Sequence, residues 1–162
     1  MTILQYLDII KLFCITENIK KSSDAQLDDL VEEILLNSNK CYLNLFDFFS
    51  ALSANQKTSG KDKKANQDSI KQITDHLDLL FVSDNNTIEN VCFANSNEMR
   101  PEFRQTFTII DIMDYCCAIL HSATFDTFSG NEVIRIPITS DSKIFWQLVK
   151  VGFELRYKML KI

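Results

Sequence analysis

The residues best able to do chemistry in this 162-residue chain are two histidines, five cysteines and one tryptophan. His76 directly follows Asp75, and sequence neighbours do not face each other on a helix, so the two make no acid–base dyad. The cysteines are Cys14, Cys41, Cys92, Cys116 and Cys117; none belongs to a C-x-x-C pair, and Cys116–Cys117 lie inside an apolar helical run. Zinc asks for four closely spaced ligands, which these cysteines and the isolated His76 and His121 do not provide. An odd cysteine count without a framework predicts reduced, mostly buried thiols of a cytosolic protein. No catalytic residue, cofactor-binding residue or metal ligand is assigned.

Cationic candidates are equally modest. Lys57, Lys61, Lys63 and Lys64 sit in SANQKTSGKDKKANQD, residues 53–68, whose polarity predicts a solvated loop rather than a phosphate grip. Arg135 is read as an edge-strand arginine paired with a carboxylate. Trp146 is read as a packing anchor, and His121 as a group that caps the last carbonyls of its helix. DNA-contacting residues are therefore left unknown.

These side chains need elements to hold them. Ile3, Tyr6, Leu7, Ile10, Phe13 and Cys14 recur at three- and four-residue steps and predict a first helix over 2–20. Ser23 and Gln26 suit a capping box for a second helix, whose apolar face is Leu27, Leu30, Val31, Ile34 and Leu35, ended by NSNK at 37–40. CYLNLFDFFSAL at 41–52 predicts a third helix, with Leu45, Phe48, Phe49 and Leu52 on one side and Tyr42 and Phe46 widening the arc. Helical spacing resumes over 69–81, and Thr87 to Phe93 reads as a short extended piece.

The C-terminal third is the most legible. Thr108 and Asp111 form a capping box for a helix whose core face is Ile112, Tyr115, Cys116, Ile119 and Leu120, with Asp111 and Asp114 on the opposite face. Residues 133–138, VIRIPI, are the best strand, and Pro137 puts it at an edge because proline cannot donate to a ladder. Thr139-Ser140-Asp141-Ser142 leads into a helix from Lys143 to Leu160, with Gly152 on its apolar face as a place for another backbone to come close.

Only 3 Gly and 2 Pro disfavour a turn-rich β barrel or sandwich, so the expected fold is mainly α, a small helical bundle with a short β element near 133–138 that could make it α+β. The expected organisation is an N-terminal helical region over 1–53, a polar loop or linker over 54–68, and a C-terminal helical region with the strand over 69–162, the whole compatible with one domain. Residues 1–90 carry 9 Lys and no Arg against 14 acids, while 91–162 carry 8 basic and 8 acidic residues, including all four Arg. Neither half has the positive excess of a protein that neutralises many phosphates unaided. No stretch reaches the ~20 apolar residues of a membrane span, and the N-terminus has no signal-peptide pattern, so no membrane contact and a cytoplasmic location are expected.

DIMDYCCAILHS, then RIPI, then FWQLVKVGFELRYKML resembles the C-terminal target-recognition region of type ISP and related single-chain restriction–modification enzymes that carry an N6-adenine DNA methyltransferase. The resemblance rests on Asp114, Tyr115, Leu120, His121 and Ser122; on Arg135, Ile136 and Pro137; and on Phe145, Trp146, Leu148, Gly152, Leu155 and Arg156, within about residues 108–160. It implies DNA recognition with a methyltransferase or restriction subunit as partner. The sequence contains no Asn-Pro-Pro-Tyr, no Gly-rich cofactor loop and no P-loop, so the expectation is an accessory or recognition module that is not an enzyme and needs no cofactor. The alternative is a helical protein-interaction module, or a fragment without function, that binds no DNA.

Overall fold

A computed structural model describes residues 5–6, 8–10, 24–37, 41–45, 47–49, 60–82, 104–125 and 134–160. The elements, in chain order, are α1 (Ala25–Asn37), β1 (Tyr42–Asn44), α2 (Gly60–Leu77), β2 (Leu80–Phe81), β3 (Thr106–Phe107), α3 (Ile109–His121), β4 (Arg135–Pro137) and α4 (Ser142–Leu160). The fold is mainly α with short β elements. β1 pairs antiparallel with β4, setting Tyr42 opposite Pro137 and Asn44 opposite Arg135; β2 pairs in parallel with β3. Pro137 thus stands on a two-stranded ladder, where a missing N–H costs nothing on the open side.

α3 is the axis of the molecule. Its sequence is apolar nearly all round, and eleven of its thirteen residues are buried, the pattern of a helix enclosed by other elements. Asp114 is among them, at 2% exposure, which corrects the expectation that it lies on a solvent face. Each fully buried Ile, such as Ile112 and Ile119, contributes about 1.5–3 kcal/mol of hydrophobic stabilisation. The capping box forms as expected: Thr108 N donates to Asp111 Oδ2 at 2.8 Å, and Asp111 N donates to Thr108 Oγ1 at 3.4 Å.

Other helix ends are set by local polar chemistry. Asp24 caps α1, accepting from Gln26 N at 3.0 Å and Leu27 N at 3.4 Å, so the cap is one residue later than the Ser23 reading. Asp is as good a cap as Ser, and its carboxylate also suits the helix dipole. Asp141 caps α4 in the same way, through Lys143 N at 2.8 Å and Ile144 N at 3.4 Å. α2 closes on Asp78 at φ 54, with Leu79 N donating to Thr74 O at 3.3 Å, a left-handed stop of the Schellman kind.

Three further expectations change. Tyr42–Asn44 is a strand, because Leu43 turns inward between exposed Tyr42 and half-buried Asn44 and the backbone finds β4; among the described residues, helix follows at 45 and 47–49. Residues 60–68, expected to be part of a linker, are the first turns of α2; lysine, which recurs here, and alanine are good helix formers. The strand expected at 133–138 is shorter, Arg135–Pro137. The first helix beyond residues 5–10 and the extended piece at 87–93 lie outside the described residues. Among the described residues, no helix is long and apolar enough to cross a membrane.

Candidate nucleic-acid interface on the last helix

α4 has two faces with different jobs. Its inner face meets α3, and Gly152 makes the approach possible: a Cβ built there would stand 1.8 Å from the backbone oxygen of Asp114. The expected close backbone contact is therefore with α3. At the same level Arg156 Nε donates to Asp114 Oδ1 at 2.8 Å and Nη2 donates to Oδ2 at 2.9 Å, a bidentate pair. Tyr6 OH donates to Asp114 Oδ1 at 2.6 Å, so the carboxylate collects donors from two distant segments. Burial, then the neighbouring Cys117 and Asp114, push the Tyr6 hydroxyl far up; the Asp114 hydrogen bond raises Arg156 against the opposing effect of burial.

The Arg156 guanidinium continues as a stack. It lies 5.4 Å from the Tyr6 ring centroid and 5.2 Å from that of Phe153, and the Phe153 ring runs nearly parallel to Tyr157, 15° between planes and 6.5 Å between centroids. Phe153 and Tyr157 are 50% and 54% exposed. Lys143, Lys150 and Tyr157 recur every seven residues, two helical turns, and so line one outer stripe with exposed Lys158 beside it. α4 carries Lys143, Lys150, Arg156 and Lys158 against one acid, Glu154. α1 is the reverse: Asp28, Asp29, Glu32 and Glu33 without a basic residue. A chain of net charge −5 thus concentrates positive charge on one helix.

Arg135 is exposed on β4 opposite Asn44, and among the described residues no carboxylate pairs with it. Trp146 is a core anchor at 2% exposure, packed edge-on to Phe145 at 4.9 Å. The Arg104 guanidinium lies over its ring at 3.9 Å, a contact the sequence did not suggest. His121 Nδ1 donates to the Cys117 carbonyl at 2.9 Å, the helix-end role expected of it. His76 Nε2 donates to the Ile138 carbonyl at 3.0 Å, tying α2 to the residue that follows β4.

Tyr115 was expected in the core, and its hydroxyl has a further task. It donates to Pro137 O at 2.7 Å and accepts from Thr139 N at 3.1 Å, fixing the link between β4 and α4. Cys41, Cys116 and Cys117 are buried thiols in no disulfide; Cys14 and Cys92 lie outside the described residues. Among the described residues, no three His, Cys, Asp or Glu side chains gather as a metal ion would need.

The site thus comprises an enclosed scaffold helix, a short strand held to it by a tyrosine, and an outer helix with exposed basic and aromatic residues. Residues 46–161 match the family model of the Type ISP C-terminal specificity domain, and the chain belongs to that family. The match begins well before the 108–160 block that carries the resemblance, taking in α2, β2 and β3. No curated protein and no solved structure shows significant similarity to the chain.

Proposed function

We propose that these 162 residues are a DNA target-recognition module of a restriction–modification system, acting with a methyltransferase or restriction activity carried elsewhere and performing no catalysis themselves. The observation that carries the reading is the specificity-domain match over 46–161. The outer face of α4 supports it. Lys143, Lys150 and Lys158 supply phosphate contacts, which position a protein on DNA, and they stand on a helix locked from behind by Asp114 and Gly152. Few such contacts mean modest affinity alone, to which a partner subunit adds.

Fluorescence anisotropy of a labelled duplex library at low salt tests this. The expected result is binding that weakens with salt, with a log–log slope near −0.9 for each phosphate contacted, and that falls further in K150E/K158E. Absence of binding at low salt, by the chain alone and in the presence of a methyltransferase partner, would overturn it. The alternative, a protein-interaction module without DNA binding, draws on the acidic outer face of α1, where Asp29, Glu32 and Glu33 are exposed beside Leu36. The same titration separates the two.

A further inference from the structure

We propose that Phe153 and Tyr157 form a stacking platform for an unpaired nucleobase, so that the module prefers DNA whose bases are splayed from the helix; this rests on the DNA-recognition reading above. Phe153 and Tyr157 each keep about half of their surface in water and together make a contiguous aromatic patch, the kind of feature that marks an interaction site. These two rings are nearly parallel and lie one helical turn apart, so the outer ring presents a π-face to solvent.

Their order is set in advance. The Phe153 ring sits against the Arg156 guanidinium at 5.2 Å, that guanidinium is pinned by two hydrogen bonds to buried Asp114, and its other neighbour is the Tyr6 ring at 5.4 Å. Four planar groups, Tyr6, Arg156, Phe153 and Tyr157, thus run from the buried carboxylate outward to the surface. A base joining the outer end loses less entropy than it would on freely rotating rings.

The surroundings choose the ligand. Lys150 is one turn before Phe153 and two turns before Tyr157 on the same stripe of the helix, so a positive charge stands beside the rings. A planar π-system attached to a phosphate satisfies both features. In an intact duplex the base faces are already stacked on each other, so only an unpaired or extruded base can use the platform. An apolar segment of a protein partner is the competing occupant, and it would create no dependence on the strandedness of DNA.

The test compares three fluorescein-labelled probes of one sequence, bound to the full chain: a duplex, the same duplex with a central mismatch bubble, and the single strand. The expected result is tighter binding of the bubble and the single strand than of the duplex, by about tenfold for each base stacked. In F153A/Y157A that ratio falls to about one, and in F153L/Y157L, which keeps apolar bulk without a π-face, it falls as well. Thermal unfolding of both variants checks that the fold is retained. Equal affinity of the wild-type chain for duplex and bubble, or a preference that survives in the Leu variant, overturns the platform while leaving DNA recognition standing. Failure to bind any of the three probes sinks the DNA-recognition reading itself.

Discussion

Gly152 and Asp114 meet backbone to side-chain position: the Cα of the glycine faces the Asp114 carbonyl so closely that an added Cβ would lie 1.8 Å from the oxygen. The obstacle is backbone on a buried helix and cannot swing aside. Gly152→Ala gains about 1 kcal/mol of helix propensity, yet it forces α3 and α4 apart at the centre of the core. Overpacking of this kind costs about 1–3 kcal/mol, and a rigid carbonyl puts it at or above the upper end. The expected outcome is a net loss of about 2 kcal/mol or more in urea unfolding. A variant as stable as the parent would mean the two helices are not in this register.

The Asp114–Arg156 pair gives a second prediction. Arg156→Leu leaves a buried carboxylate that still accepts from Tyr6 but has lost its cation, and removal of one partner of a buried pair costs about 3–5 kcal/mol. Arg156→Lys keeps the charge but loses the fork that binds both oxygens, so it recovers only part of that loss. Unfolding midpoints of the two variants should rank wild type, Lys, then Leu. A Leu variant equal to wild type would show the pair contributes nothing.

Stability at alkaline pH follows from three buried groups. Burial pushes the Cys116 thiol well above its ordinary 9.0 and the Tyr6 and Tyr115 hydroxyls above their ordinary 10.0. The unfolded chain releases these protons once the pH passes 9 to 10, whereas the folded chain holds them. Their contribution is therefore complete below about pH 9 and declines above it, by up to about 1.4 kcal/mol per pH unit for each group. Tyr115→Phe removes one titrating group, so its stability, although lower at neutral pH for want of the Pro137 and Thr139 hydrogen bonds, should fall less steeply. Denaturant midpoints across the alkaline range check both slopes.

Thiol reagents report on the same core. Cys41, Cys116 and Cys117 are buried, and burial raises the thiols of Cys41 and Cys116, so the reactive thiolate is scarce. In the native chain at neutral pH these three should resist alkylation and react fully after unfolding. Rapid labelling of Cys116 in the native state would contradict an enclosed α3.

The capping box, the final strand and the last helix were legible in the sequence because each is decided locally, by Thr108 with Asp111, by β-branched residues around Pro137, and by cap residues from Thr139 to Asp141. Gly152 was legible too, since a glycine on an apolar helix face has few other uses. Asp114 was misplaced because its partners, Tyr6 and Arg156, are 108 and 42 residues away. The apolar character of α3 on every side was the available signal. β1 was read as helix because its apolar residues fit both periods, and only pairing with β4 decides between them. The exposed aromatic pair on α4 was invisible as a surface, because Phe153 and Tyr157 look like any other apolar residues until their burial is known.

Asp28 shows how the first part of the chain is joined to the rest. Its carboxylate accepts from Ser122 Oγ at 2.7 Å and from Ala123 N at 3.0 Å, just past the end of α3. β1 lies along β4, and both contacts come from residues that precede the segment matched to the family. The border of inheritance and the border of mechanical completeness therefore fall in different places. A chain cut back to residue 46 would keep the family signature but present the edge of β4 bare and the slot of Leu43 empty, an acceptor for a strand donated by another molecule.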